Sequence, residues 1–169
     1  MPWSTAVITV SDRASRGQRT DLSGPLVVEL LESAGFRVVK YQIVPDEPRM
    51  LETVLNDTVG AQRLPLVVLT GGTGLGPRDR VPQVLEAWGA TRVWGFGERM
   101  RHRGGETNPR AVLSRGGAWQ RWSSLILALP GSPTGARDSL AAVLDVLDHA
   151  LSILRGGDHP AQGAGTAPA

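Results

Sequence analysis

An α/β fold with a mostly parallel sheet is what this sequence predicts, and three observations predict it. Short apolar, β-branched runs alternate with amphipathic helical stretches through residues 5–70. That is the pattern of parallel strands joined by right-handed crossovers. The third run opens into a glycine-rich loop, Gly71-Gly72-Thr73-Gly74-Leu75-Gly76. Further on, two apolar runs around a polar turn read as a hairpin, which gives the C-terminal half one antiparallel strand.

Taken in order, Thr5 to Val10 forms the first strand and ends at Ser11-Asp12, followed by a polar loop from Arg13 to Thr20. Ser23 is placed to cap the next helix, with Pro25 in its first turn. Leu26, Val27, Leu30, Leu31 and Ala34 keep one face apolar until Gly35 stops it. Phe36 to Val44 is the second strand, ending at Pro45-Asp46-Glu47. Pro48 opens a helix with the stripe Leu51, Val54, Leu55 and Val59, ended by Gly60, and Pro65 to Thr70 enters the glycine loop. Val81 to Trp88 and Trp94 to Arg103 read as helices, the second weakened by Gly95 and Gly97. Ala118 to Arg121 and Ser123 to Leu129 form the hairpin. A final helix from Pro133 to Arg155 carries Leu140, Val143, Leu144, Leu147, Leu151 and Leu154 on one stripe. One domain over residues 1–156 and a disordered tail over 157–169 are expected.

Composition excludes several classes. With 169 residues, 41% apolar and 20% charged, the chain reads as an ordinary soluble globular protein. Cysteine is absent, which removes disulfides, thiol catalysis and thiolate metal sites. No run reaches membrane-spanning length, and Met1-Pro2-Trp3-Ser4 leads directly into a strand without a signal peptide, so a cytoplasmic location is expected. The net charge is only +2, and the arginines are scattered, which is not the footprint of a nucleic-acid binder. His102, His149 and His159 lie too far apart in sequence to suggest a metal site, and Ser114 has no neighbouring histidine to activate it. Trp88, Trp94, Trp119 and Trp122 are expected in the core or at a subunit interface.

The glycine loop is the first candidate site. Gly71, Gly72, Gly74 and Gly76 let the backbone approach a ligand and turn N–H groups toward it, and Arg78 offers a fork suited to phosphate. Its spacing matches neither the Walker loop nor the dinucleotide fingerprint. A flexible strand-to-helix turn with Asp79 as N-cap accounts for the loop alone equally well. The same alternative applies to Asp46 before its own helix.

The residues just beyond the strands strengthen the ligand reading. Ser11-Asp12, Pro45-Asp46-Glu47, Gly71 to Asp79 and Gly131-Ser132 all lie at strand carboxyl ends, the ligand-binding edge of an open α/β sheet. Like charges 4 Å apart repel by about 4 kcal/mol at an effective dielectric of 20. A helix N-terminus returns at most about 2 kcal/mol to an anion. Carboxylates facing a polyphosphate therefore require a cation between them, and Mg²⁺ is the natural one.

Thr70-Gly71-Gly72-Thr73-Gly74 with Gly76-Pro77-Arg78-Asp79 resembles the signature of the MoaB/Mog molybdopterin-binding family, which includes molybdopterin adenylyltransferases and a gephyrin domain. Val10-Ser11-Asp12, Asp21-Leu22-Ser23-Gly24-Pro25, Pro45-Asp46-Glu47, Leu113-Ser114-Arg115 and Leu129-Pro130-Gly131-Ser132-Pro133 follow in the family's order. The resemblance covers about residues 5 to 156. It implies a three-layer α/β/α fold, usually a homotrimer, that transfers AMP from Mg-ATP to molybdopterin and releases pyrophosphate before molybdenum insertion, with a possible insertion partner protein. It implies Asp46 and Asp79 as the magnesium-associated catalytic carboxylates. Gly71, Gly72, Thr73, Gly74, Gly76 and Arg78 would form the nucleotide and pterin turn, with Ser11 and Asp12 beside it and Ser114, Gly131 and Ser132 near the pterin.

The chain also departs from the family pattern. Arg80-Val81-Pro82-Gln83 stands where the family often has Val-Thr-Pro-Glu, and Trp94 replaces a proline before Gly-Phe-Gly. These changes leave open the alternative of a homologue that binds pterin or nucleotide without transfer, as a scaffold in cofactor assembly.

Overall fold

A computed structural model describes residues 2–157. Of the expected tail, residues 158–169, His159 among them, lie outside the described residues, while Gly157 N–H donates to the Ser152 carbonyl at 2.9 Å. Among the described residues, six strands form one sheet: β1 (Ser4–Val10), β2 (Arg37–Val44), β3 (Leu66–Thr70), β4 (Thr91–Val93), β5 (Gly117–Arg121) and β6 (Ser124–Leu129). Their order is β2-β1-β3-β6-β5-β4. β1 pairs parallel with β2 and β3, and β3 pairs parallel with β6. β5 runs antiparallel to both β6 and β4, so one strand alone is reversed, as the hairpin predicts.

The helices are α1 (Asp12–Ser15), α2 (Ser23–Ser33), α3 (Pro48–Leu55), α4 (Val81–Ala87), α5 (Trp94–Gly105) and α6 (Pro133–Leu154). They cover both faces of the sheet, and strand alternation assigns residues to each side. Ala6, Ile8 and Val10 of β1, Val67 and Leu69 of β3, and Ile126 and Ala128 of β6 pack toward α3 and α4. Val7, Leu66, Val68, Leu125, Leu127 and Leu129 face the opposite way, toward α2, α5 and α6. This is the three-layer α/β/α arrangement. Among the described residues, no helix is long and apolar enough to cross a membrane.

Several local expectations are corrected. Ser23 does not cap α2; the Asp21 carboxylate accepts from Ser23 N at 3.1 Å and Gly24 N at 3.0 Å, because a carboxylate two residues earlier reaches both free amides. The polar stretch after Asp12 starts with the short helix α1, capped by Ser11 Oγ accepting from Ala14 N at 3.2 Å. Gly60 does not stop the helix after Pro48, since a π-helical turn continues α3 through Asn56–Ala61. β4 was not anticipated: three residues are too few to carry a period. Trp119 is fully buried, but Trp94 and Trp122 are 63% and 59% exposed and are not core. Trp122 occupies the hairpin turn at φ +51°.

Candidate functional site

The carboxyl ends of β1, β2, β3 and β6 converge on a cleft of about 690 Å³. Its walls include Ser11, Asp12, Asp46, Gly71, Gly72, Thr73, Gly74, Arg78, Asp79, Ser114, Gly131 and Ser132. Of the residues expected at the site, only Gly76 is absent from this wall. It lies one step behind, its N–H donating to Asp79 Oδ2 at 2.9 Å. Neither His102 nor His149 lines the cleft; His102 lies on the surface of α5, 3.9 Å from Glu106.

Capping does not explain the two aspartates. α3 begins after Glu47 and α4 after Arg80, and neither helix has a side-chain cap hydrogen bond. Asp46 instead accepts the Asp12 N–H on Oδ2 at 2.8 Å, while Asp46 N–H donates to Asp12 Oδ1 at 3.1 Å. Asp79 turns back on its own loop to Gly76. Neither carboxylate caps the helix that follows it: Asp46 takes the first amide of α1, and both lie against the glycine loop.

The loop's shape depends on its glycines. Gly71 has φ +105° and Gly72 +66°. A Cβ on Gly71 would collide with the Val10 carbonyl. A Cβ on Gly74 would stand 2.8 Å from Asp79 Oδ2, and one on Gly72 3.5 Å from Asp46 Oδ1. The missing side chain at Gly74 gives the Asp79 carboxylate its room, whereas at Gly72 a Cβ would make ordinary contact with Asp46 and strike Val81 Cγ2 at 2.5 Å. Gly131 is equally close-packed, with its absent Cβ 3.2 Å from Gly71 Cα. Ser132 Oγ caps α6, accepting from Gly135 N at 3.2 Å, and Ser114 Oγ accepts from Gly116 N at 3.2 Å.

Charge is concentrated at this edge. Burial pushes the Asp46 carboxyl above its ordinary value; the neighbouring Asp12 and Asp79 charges add to that, while the Asp12 N–H and Arg78 oppose it. Arg78 does not project freely toward a phosphate as the sequence suggests. It grips Asp12 with both arms, Nε to Oδ2 at 2.6 Å and Nη2 to Oδ1 at 2.8 Å. With Arg78 already held by Asp12, no bidentate cationic partner is left for Asp46 or Asp79 among the described residues.

These oxygens suit a hard divalent cation. No cluster of three or more His, Cys, Asp or Glu with metal-holding geometry occurs among the described residues. Two carboxylates, with the remaining positions filled by water and substrate phosphate, fit Mg²⁺ rather than a metal needing a full protein cage.

Some residues of the cleft were not foreseen as site residues. Asp21 lines it and is held by Thr9 Oγ1 and Tyr41 Oη, each donating at 2.5 Å, as well as by the α2 amides. Burial works to raise the Asp21 carboxyl, but these donors together hold it below the usual range. The Tyr41 hydroxyl is pushed up to about 12 by burial and by Asp21. The signal for Asp21 was its place before Ser23-Gly24-Pro25. Arg19 and Arg110, also on the wall, are ordinary loop arginines in sequence and gave none.

Comparisons with known proteins identify the family. Residues 6–149 match the family model described as a probable molybdopterin binding domain. The chain is 41% identical over 153 residues to a molybdenum cofactor biosynthesis bifunctional protein of Synechococcus elongatus, covering 90% of this chain and 48% of that protein. It thus spans about half the length of that relative. A molybdopterin adenylyltransferase of Helicobacter pylori is 38% identical over 152 residues, covering 89% of this chain and 86% of its own. Among solved structures, the molybdopterin biosynthesis enzyme MoaB of Thermus thermophilus is similar at a TM-score of 0.86 and 45% identity, with 91% of this chain and 97% of that one covered. By sequence, fold and the make-up of its cleft, the chain belongs to the MoaB/Mog family of molybdopterin-binding proteins.

Proposed function

We propose that the chain binds molybdopterin and ATP in this cleft and transfers AMP to the pterin, releasing pyrophosphate. A role in molybdenum cofactor biosynthesis follows from the family; the transfer step is the finer reading. The observation that carries it is the pair Asp46 and Asp79, which lie against the glycine loop and do not cap the helices that follow them.

In this reading the terminal phosphate of the pterin attacks the α-phosphorus of ATP, and pyrophosphate leaves. Such a step needs alignment and charge neutralisation rather than a protein nucleophile, in keeping with a chain that has no cysteine and, among the described residues, no histidine lining the cleft. Asp46 and Asp79 are the residues that would hold Mg²⁺, whose chemistry is to offset the charge between carboxylates and phosphates. The loop amides and Arg78 would position phosphate oxygens, with Ser114, Gly131 and Ser132 toward the pterin. Like the resemblance, this reading includes assembly as a homotrimer.

One observation favours binding without transfer. Arg78 is engaged with Asp12, and the segment after Asp79 is Arg80-Val81-Pro82-Gln83, which brings a further cation and no carboxylate. A scaffold that holds pterin for a molybdenum-insertion partner would suit that composition. Supplying molybdopterin and Mg-ATP and assaying pyrophosphate separates the two: release supports transfer, and tight pterin binding without release supports the scaffold.

A further inference from the structure

Arg115 touches neither carboxylate side chain, yet it is joined to the glycine loop at three points. Its backbone N–H donates to the Thr73 carbonyl at 2.8 Å. Its Nε donates to the Gly74 carbonyl at 2.9 Å, and its Nη2 donates to the Asp79 carbonyl. One planar group therefore spans the segment from Gly74 to Asp79, of which Leu75, Gly76, Pro77 and Arg78 are exposed.

Other bonds share in holding that segment: Gly76 N–H donates to Asp79 Oδ2 at 2.9 Å, Arg80 Nε to the Pro77 carbonyl at 3.2 Å, and Arg78 grips Asp12, while Arg115 ties down the carbonyls at its two ends. Asp79 N–H donates to the Gly76 carbonyl at 3.0 Å, and Val81 N–H to the Gly72 carbonyl at 3.1 Å. Its glycines have no side chains to pack and lose the most backbone freedom on ordering. A guanidinium suits this task because its donors diverge in a rigid plane and carry a charge, which strengthens bonds to carbonyl oxygens.

Arg115 is itself held from behind. Arg92 Nη2 donates to the Arg115 carbonyl at 2.9 Å. Arg101 Nη1 donates to the carbonyls of Ser114 at 3.2 Å and Gly116 at 3.1 Å. Arg92 lies between the indoles of Trp94 and Trp119, 4.6 and 4.8 Å from their centroids. Three arginines that repel one another are thus gathered to secure one turn of backbone behind the loop. Burial lowers the Arg92 pKa, Glu86 at 3.6 Å opposes that, and the Arg101 and Arg115 charges add to the lowering.

Taking the proposed reaction as given, we infer that Arg115 is a positioning residue, whose guanidinium clamps the Gly74 and Asp79 carbonyls and so fixes the Asp79 carboxylate relative to Asp46. It acts through Asp79 and does not contact the reacting atoms.

The test uses R115Q and R115K in the full chain, read by amide hydrogen exchange without ligand and by steady-state kinetics. Exchange at the Gly76, Asp79 and Val81 amides is expected to rise roughly tenfold or more while β1 and β3 amides stay unchanged, as for a local opening. Misplacement of a catalytic group by about 1 Å costs on the order of 100-fold, so kcat should fall by about that factor. KM for ATP should stay within about threefold, since the lost alignment matters in the transition state rather than in binding. R115K keeps the charge without the fork and should behave like R115Q. Unchanged loop exchange, full rescue by lysine, or equal acceleration in loop and core strands each overturns the clamp. If the wild-type chain releases no pyrophosphate, the proposed reaction fails, and the exchange measurement alone still decides whether Arg115 fixes the loop.

Discussion

Asp12 and Asp46 hold each other by reciprocal hydrogen bonds, each backbone N–H donating to the other's carboxylate, at 2.8 and 3.1 Å. The ends of β1 and β2 are thereby locked together, and two negative charges are set side by side beneath the glycine loop. The arrangement separates what Asp46 does for the fold, as an acceptor, from what its charge does for the site.

Asn in place of Asp46 keeps an acceptor for the Asp12 N–H and removes the charge. The folded-state carboxyl is raised by burial first and by its acidic neighbours. Ionised Asp46 therefore works against folding, and that cost is present once the pH exceeds the folded value. Asp46→Asn is expected to leave stability at neutral pH within about 1 kcal/mol of wild type, neutral or slightly improved. Magnesium-dependent turnover should fall by about 100-fold or more. Thermal denaturation and a pyrophosphate assay check the two halves; full activity would remove Asp46 from the catalytic role.

Arg78 is tied to Asp12 by two close contacts, and phosphate has to compete with that carboxylate for it. Asp12→Asn retains an acceptor for the Asp46 N–H but weakens the hold on Arg78. ATP affinity, measured by calorimetry, should rise by up to about fivefold, the range of a partly exposed ion pair. Weaker binding would mean that the Asp12–Arg78 pair shapes the site rather than competing for it.

Asp21 bears on stability. Its folded carboxyl lies below the usual range, so its contribution is present above the unfolded value of about 3.9 and lost as the pH falls through the lower, folded value. Asp21→Ala should cost about 1–3 kcal/mol at neutral pH, through the lost α2 cap and the orphaned hydroxyls of Thr9 and Tyr41. The difference from wild type should shrink as the pH falls below the unfolded value of about 3.9 and through the lower, folded one. Urea titrations across that range measure it; a constant difference would contradict the linkage.

Trp94 and Trp122 expose large indole surfaces, which a subunit interface would cover. Sedimentation equilibrium at working concentrations should give three copies of the 18.0 kDa chain. A monomer would contradict the proposed trimer.

Most of the fold was legible because its signals are local and periodic. The apolar runs of β1, β2 and β3, the glycines closing α2 and α6, and the stripe of α6 each announce an element. β4 was not legible, since its three residues become a strand only through pairing with β5. The site was legible where strand ends share a composition, which brought Asp12, Asp46, Gly71 and Gly131 to one edge. Direction was not. Whether an aspartate before a helix caps it, as Asp46 and Asp79 do not, depends on which amide lies nearest in space. Arg115 likewise reads in sequence as a surface or ligand contact, and only the folded loop reveals the carbonyls it holds.

The most direct measurement is pyrophosphate release from purified chain given molybdopterin, ATP and Mg²⁺, with wild type and Asp46→Asn run side by side. The account predicts release that depends on both substrates and on magnesium, and that is lost in the variant. Tight molybdopterin binding by both proteins, with pyrophosphate from neither, would contradict it.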